Sequence, residues 1–255
     1  MPMSIPELEK ALRSLRLSGM TATLQARAVQ VASHEMDFME ALSWLVQDEL
    51  DRRRGRLLDR RFTHSGLPER KTLNDLDWTY NPKLPKRTLL ELATLAFITA
   101  RENVLLIGPP GTGKSHAAKA LALLAVQRGH KVLYREAHTL IEEIHLAREL
   151  GELKKYRAQL LSADVLIIDD LFLSRLPPHA GEELADVLMS RYEKLSTVVT
   201  SNRPIEDWAT LLGDVVVVTP LLDRLMHHGH LLKFEGKSWR LKEATARLAK
   251  QRSDA

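Results

Sequence analysis

VLLIGPPGTGKSHAAKA, Val104–Ala120, decides how the rest of the chain is read. An apolar run of strand character enters a Gly/Pro loop, and Lys114-Ser115 opens an Ala-rich helix. Gly108, Gly113, Lys114 and Ser115 satisfy G-x-x-x-x-G-K-[ST] in the strand–loop–helix setting the motif requires. Gly111 and Gly113 permit backbone angles that turn N–H groups inward. With the positive end of the helix dipole, those groups make a nest for phosphate. Gly108, Pro109, Pro110, Gly111, Thr112, Gly113, Lys114, Ser115 and His116 are therefore the candidate contacts of a nucleoside triphosphate. Lys114 is expected to reach the β- and γ-phosphates, and Ser115 to ligate Mg2+. No N-K-x-D guanine-reading motif occurs, so ATP is the expected nucleotide.

Two downstream stretches complete the expected chemistry. In ADVLIIDDL (163–171), four apolar residues precede Asp169 and Asp170. That puts both carboxylates at the C-terminal end of a buried strand, the edge where open α/β sheets hold ligands. Asp169 is expected to hold Mg2+ and Asp170 to orient and deprotonate the attacking water; a solvated turn is the plainer alternative. In TVVTSNRP (197–204), Asn202 can donate to a γ-phosphate oxygen and position water, or simply open a turn before Arg203-Pro204.

Arg224, in LLDRLMHHG (221–229), could be delivered to a neighbour's γ-phosphate or form a surface pair with Asp223. Arg240, in GKSWR (236–240), could sense nucleotide within its own subunit or belong to the basic tail. His227, His228 and His230 form a cluster without an accompanying ligand set of metal-site spacing, and read as surface residues.

Around these motifs, strands are expected at Asn103–Ile107, Lys131–Tyr134, Asp164–Asp169, Thr197–Ser201 and Leu231–Phe234. Long helical stretches separate them, which implies a parallel sheet covered on both faces. Val215–Val218 has strand propensity, yet Leu221, Leu222 and Leu225 continue it at helical spacing. A helix is expected over about 86–100. Residues 7 to about 62 read as helices, since Leu8, Leu12 and Leu15, then Phe38, Leu42 and Leu45, repeat at helical spacing. Thr63–Pro85 is rich in turn residues and reads as a linker. The expected domains are thus a helical N-terminal unit with its linker, 1–80, and an ATPase domain with a short basic tail, 81–255.

Arg52, Arg56 and Arg60 fall at i, i+4 and i+8 of one helical face, with Arg53 and Arg61 flanking it. Such a row can bridge successive phosphates of DNA without reading sequence; a solvated charged face is the alternative. Lys154, Lys155 and Arg157, around Tyr156 between the second and third strands, are a second candidate DNA contact.

Taken together these residues resemble the IstB family of insertion-sequence transposition helper ATPases, in the AAA+ class and close to DnaC-type helicase loaders. The resemblance spans nearly the whole chain. It includes LRSLRLSGM (12–20), DELDRRRGRLLDRRF (48–62), LNDLDW (73–78), LPKRTLLELATLAFI (84–98) and the phosphate loop. It continues through ADVLIIDDL, TSNRPIEDW (201–208), LLDRLMHHG and GKSWR. It implies a P-loop AAA+ core with a five-stranded parallel sheet of order 5-1-4-3-2, a reduced lid and a small all-α N-terminal domain. It implies ATP-driven self-assembly with Arg224 as an arginine finger acting in trans, and makes 214–226 helical. Pro220 inside that stretch, and SWR in place of a Tyr-containing version, depart from the family pattern.

The implied function is an ATP-dependent, DNA-binding regulator that assembles as a homo-oligomer on double-stranded target DNA and assists a cognate transposase. A DnaC-like helicase loader is the alternative. A small-molecule kinase lacks its Arg-rich closing segment between the third and fourth strands; a scaffold binding ATP without turnover is a further rival. The 255 residues are 44% hydrophobic and 27% charged, with a net charge of +4 and no cysteine, as expected of a globular protein without disulfides or thiolate metal sites. No apolar run approaches membrane-span length. A cytoplasmic location is the expectation.

Overall fold

The computed structural model describes residues 2–173, 180–208, 211 and 215–253. They form two compact units, Met1–Arg61 and Phe62–Ala255.

The first unit holds helices α1 (Ile5–Ser14), α2 (Ser18–Ala32) and most of α3 (Phe38–Ser65). The Glu7 carboxylate accepts from the Ser4 backbone N–H at 2.8 Å and so caps α1. Helix α2 meets α3 at Gly19, whose N–H donates to Glu49 Oε2 at 2.6 Å. A Cβ on Gly19 would sit 2.6 Å from Glu49 Cα, so only glycine lets the backbones approach this closely. Glu49 is buried and ion-paired to Arg53 at 2.6 Å, and that guanidinium holds its carboxyl below the usual carboxylate range. Leu12, Leu24 and Ala41 are buried in this unit, whereas Phe38, Met39, Leu42, Val46 and Leu50 along α3 remain exposed.

The second unit is a five-stranded sheet, β1 (Asn103–Ile107), β2 (Val132–Glu136), β3 (Val165–Leu171), β4 (Ser196–Ser201) and β5 (Gly229–Lys233). Its order is β2-β3-β4-β1-β5 with every pairing parallel. Read from the other edge this is the expected 5-1-4-3-2. β1, β3 and β4 are buried along almost their whole length because helices cover both faces. Val104 and Leu106 of β1 enter one core layer with Ala117, Leu121 and Phe97. Leu105 and Ile107 enter the other with Leu140, Leu184 and Leu221.

The first layer is covered by α4 (Lys86–Leu92), α5 (Ala96–Thr99) and α6 (Lys114–Gln127). The helix expected over 86–100 is broken between α4 and α5, where Leu95 adopts φ 66° so that Leu89, Leu92, Phe97 and Ile98 all reach the same core. The other face carries α7 (Ala137–Glu149), α8 (Leu153–Leu161), α9 (Ala180–Arg191) and α10 (Val215–His227). The stretch 215–218 is therefore helical, continuing through Pro220. Buried Leu221 and Leu225, one helical turn apart, decide against β-branched propensity. A last helix, α11 (Trp239–Ser253), follows β5. The turn-rich stretch read as a linker packs as part of this unit: Leu67, Leu73 and Leu84 are buried, and Phe62 and Trp78 lie against the first core layer.

Candidate nucleotide site

The loop between β1 and α6 is shaped by what touches it. Gly108 has φ 153°, and a Cβ there would lie 2.0 Å from the Phe234 carbonyl oxygen beyond β5. Gly111 has φ 77°, and its Cβ would meet Ser238 Oγ at 2.1 Å. The Thr112 hydroxyl donates to the Pro109 carbonyl at 2.8 Å and closes the turn. His116 uses Nε2 on the Thr72 carbonyl at 2.7 Å, so its ring joins the loop to the segment before α4.

Lys114 is buried, and its ammonium donates to Pro109 O and Asn202 Oδ1, both at 2.7 Å. Asn202, just past β4, turns its Nδ2 toward Asp170 Oδ1 at 3.4 Å. The two carboxylates are set by an irregularity in β3: Ile168 pairs with Val199, but Leu171 pairs with Ser201, leaving one extra residue on β3. Asp170 takes up that bulge with φ 55°, which re-aims its side chain. The Thr200 hydroxyl accepts from the Asp170 N–H at 2.8 Å and donates to Asp169. Tyr134 on β2 donates to the other Asp169 oxygen at 2.6 Å.

Asp169 is therefore a buried carboxylate locked by two hydroxyls, and Asp170 the partly exposed one. Burial first, then the charge of Asp169, pushes the Asp170 carboxyl above the usual carboxylate range. A more basic carboxylate beside an amide is suited to accept a proton from water. Ser115 and Asp169 line the same cavity of about 390 Å3 as Lys114, Asp170, Asn202 and Arg240. A hydroxyl and a buried carboxylate lining one cavity supply hard oxygen donors, which fits Mg2+.

The cavity is roofed by two segments far apart in sequence. Asn81 accepts from the Lys237 N–H and donates to the Lys237 carbonyl, both at 2.9 Å. The Tyr80 hydroxyl donates to Ser238 O at 3.2 Å, and the Trp239 N–H donates to Gly111 O at 2.9 Å. The Tyr80 and Trp239 rings meet edge to face at 5.2 Å, with the Lys242 ammonium within 4.3 Å of both centroids. Arg240 follows Trp239 and is exposed at the cavity rim.

Burial depresses the Lys114 ammonium to about 8; the charge of Arg240 adds to the effect, while Asp170 and Asp169 oppose it. Triphosphate favours the charged amine, so binding above that pH requires uptake of a proton. Affinity for a non-hydrolysable ATP analogue is expected to fall about tenfold per unit above about pH 8, the slope of one linked proton. Calorimetric titration across pH 7 to 9.5 checks it, and Arg240→Ala is expected to move the break to higher pH. A flat profile overturns the link to Lys114.

Other expected site residues lie elsewhere. Arg224, on α10, does not line this cavity. Its Nη1 lies 3.0 Å from Met189 Sδ and its guanidinium 5.8 Å from the Tyr192 ring centroid, contacts other than the Asp223 pair that the sequence offered. Arg52, Arg53, Arg56, Arg60 and Arg61 all fall on α3 of the first unit, with Arg52 and Arg56 exposed and Arg53 held by Glu49. On α8, Lys154 is exposed and Lys155 pairs with Glu152 at 3.4 Å. Arg157 is committed to Glu183 and to Asp186 at 3.0 Å on α9, so its guanidinium serves that packing. Sequence reading passed over Tyr134, Thr200, Asn81 and Tyr80. A tyrosine interrupting an apolar strand, and a threonine just before Ser201-Asn202, were the available signals.

The fold agrees with what the chain is similar to. A protein of insertion sequence IS21 from Pseudomonas aeruginosa, described as ATP-binding, is 37% identical over 237 residues, covering 93% of this chain and 89% of the relative. A protein of insertion sequence IS5376 from Geobacillus stearothermophilus, described likewise, is 34% identical over 238 residues, covering 93% and 95%. Among solved structures, DnaI superposes with a TM-score of 0.56 at 19% identity over 65% of this chain and 92% of its own, a likeness of fold and no more. That fold is the AAA+ core with its five-stranded parallel sheet. The model of the IstB-like ATP binding proteins matches residues 10–247. The match takes in the phosphate loop, both carboxylates, Asn202 and Arg240, and on that footing the chain belongs to the family of IstB-like ATP binding proteins.

Proposed function

We propose that the chain is an ATP-hydrolysing regulator that assembles on double-stranded DNA and hands that complex to a transposase. The observation that carries this is the Lys114–Asn202–Asp170 chain of contacts above the buried Asp169. An arriving γ-phosphate exchanges for Asn202 Oδ1 and Pro109 O on the Lys114 ammonium. That frees the Asn202 amide to hold water against Asp170, which takes its proton as the water attacks the γ-phosphorus, while the bond to the β–γ bridging oxygen breaks and ADP departs with that electron pair. Mg2+, held by Ser115 and, directly or through water, by Asp169, would neutralise charge on the β- and γ-phosphates. The Tyr134 and Thr200 hydroxyls keep Asp169 from turning away.

Arg224 stands apart from its own subunit's cavity, a position suited to a neighbour's γ-phosphate. ATP then bridges two copies, and its cleavage separates them. The insertion-sequence context of the relatives favours transposition over helicase loading. No helix among the described residues is long and apolar enough to cross a membrane. A cytoplasmic location, where ATP and DNA are both at hand, belongs to this reading.

Duplex DNA is expected to stimulate ATP turnover. Replacing Arg52, Arg56 and Arg60 together is expected to remove that stimulation. The dependence of log Kd on log salt should also flatten, by roughly 0.9 for each phosphate no longer neutralised. A wild-type rate indifferent to DNA would overturn the proposed function; an unchanged slope would take α3 out of the interface.

A further inference from the structure

Three side chains outside the nucleotide cavity converge in a way that the proposed activity does not use. Glu193 follows the end of α9 with φ 57°; His227 ends α10, and His228 comes next. One ligand atom from each of the three lies within 4.8 Å of the others, and all three residues are exposed. His228 Nε2 is 3.5 Å from Glu193 Oε1, and the two imidazole centroids are 4.2 Å apart. The Tyr192 hydroxyl lies 2.9 Å from His227 Nδ1 and orients that ring. His230, which the sequence groups with the pair, turns to Glu102 at 2.8 Å and takes no part.

We propose that Glu193, His227 and His228 form a binding site for a divalent transition metal of the zinc type. Two imidazole nitrogens and one carboxylate oxygen suit a borderline cation over Mg2+ or Ca2+, which prefer all-oxygen shells. Three protein ligands leave a fourth position for water or a donor from another molecule. The ligand atoms stand slightly wider than tetrahedral coordination requires, and small side-chain rotations of exposed groups close that difference. Both helices present their C-terminal ends here, where the dipole favours a cation. The Tyr192–His227 contact is the kind of outer support that fixes a metal-binding imidazole. The bound cation ties the turn after α9 to the end of α10.

The test is a Co2+ titration of the full chain, stripped with chelator and held in excess Mg2+ so that hard oxygen sites are filled. The expected result is a saturable visible absorption band at one equivalent, displaced by Zn2+. His228→Ala and Glu193→Gln lose it, while His230→Ala keeps it. Zn2+ should also raise the melting temperature of the wild type and leave that of His228→Ala unmoved. All three positions are exposed, so the variants should melt like the wild type in chelator. A band that survives His227→Ala/His228→Ala, or a wild type that never saturates, overturns the site.

Discussion

Lys114→Ala is expected to weaken ATP binding by about 10²–10⁴, since it removes two charge-assisted hydrogen bonds to phosphate worth about 1.5–3 kcal/mol each. The ammonium is already buried and turned into the loop, so the binding geometry is prepared before nucleotide arrives. Alanine removes that charge without asking the loop to refold, since the Thr112–Pro109 and Gly111–Trp239 hydrogen bonds do not involve the side chain. Titration with a fluorescent ATP analogue measures the change. In sizing experiments the same variant should fail to form ATP-dependent oligomers. Affinity like that of the wild type would remove Lys114 from the phosphate site, and oligomers that persist would uncouple assembly from nucleotide.

Arg224→Ala carries the second large effect, a drop of about 10³–10⁵ in turnover with nucleotide affinity nearly kept. The split between rate and affinity follows from position: Arg224 rests on Met189 and Tyr192 and is absent from its own subunit's cavity wall. Mixing gives a sharper readout. An Arg224→Ala subunit keeps an intact phosphate loop, and a Lys114→Ala subunit keeps an intact arginine. Each is expected to be nearly inactive alone, and the mixture to regain part of the activity. No recovery in a mixture shown to co-assemble would place the arginine in cis or out of the reaction.

The phosphate loop and its acidic partners were legible because both are local. A glycine spacing needs only neighbouring residues, and two carboxylates after four apolar ones mark the end of a buried strand. What the sequence did not disclose was distributed. Thr200, on the adjacent strand, holds the Asp169 carboxylate and the Asp170 backbone N–H, and Tyr134 reaches Asp169 from the other side; no spacing rule links residues brought together by sheet order. The break at Leu95 is a left-handed residue inside a run of good helix formers, forced by the need to face one core from two short helices. The ion pairs of Arg157 were not legible because its partners, Glu183 and Asp186, lie on another helix. Glu193 comes to lie beside the two histidines in the same way, from the turn after another helix.

The clasp between Asn81 and Lys237 ties the chain ahead of β1 to the chain beyond β5, so the order of synthesis bears on when the loop is covered. The phosphate loop leaves the ribosome early, but the peptide that presses on Gly111 is made only after the last strand of the sheet. Until Gly236–Trp239 emerges and seats against Tyr80 and Asn81, the loop has no roof and Trp239 cannot hold the Gly111 carbonyl. Nascent chains stalled before that point would carry the whole signature motif and still grip nucleotide poorly.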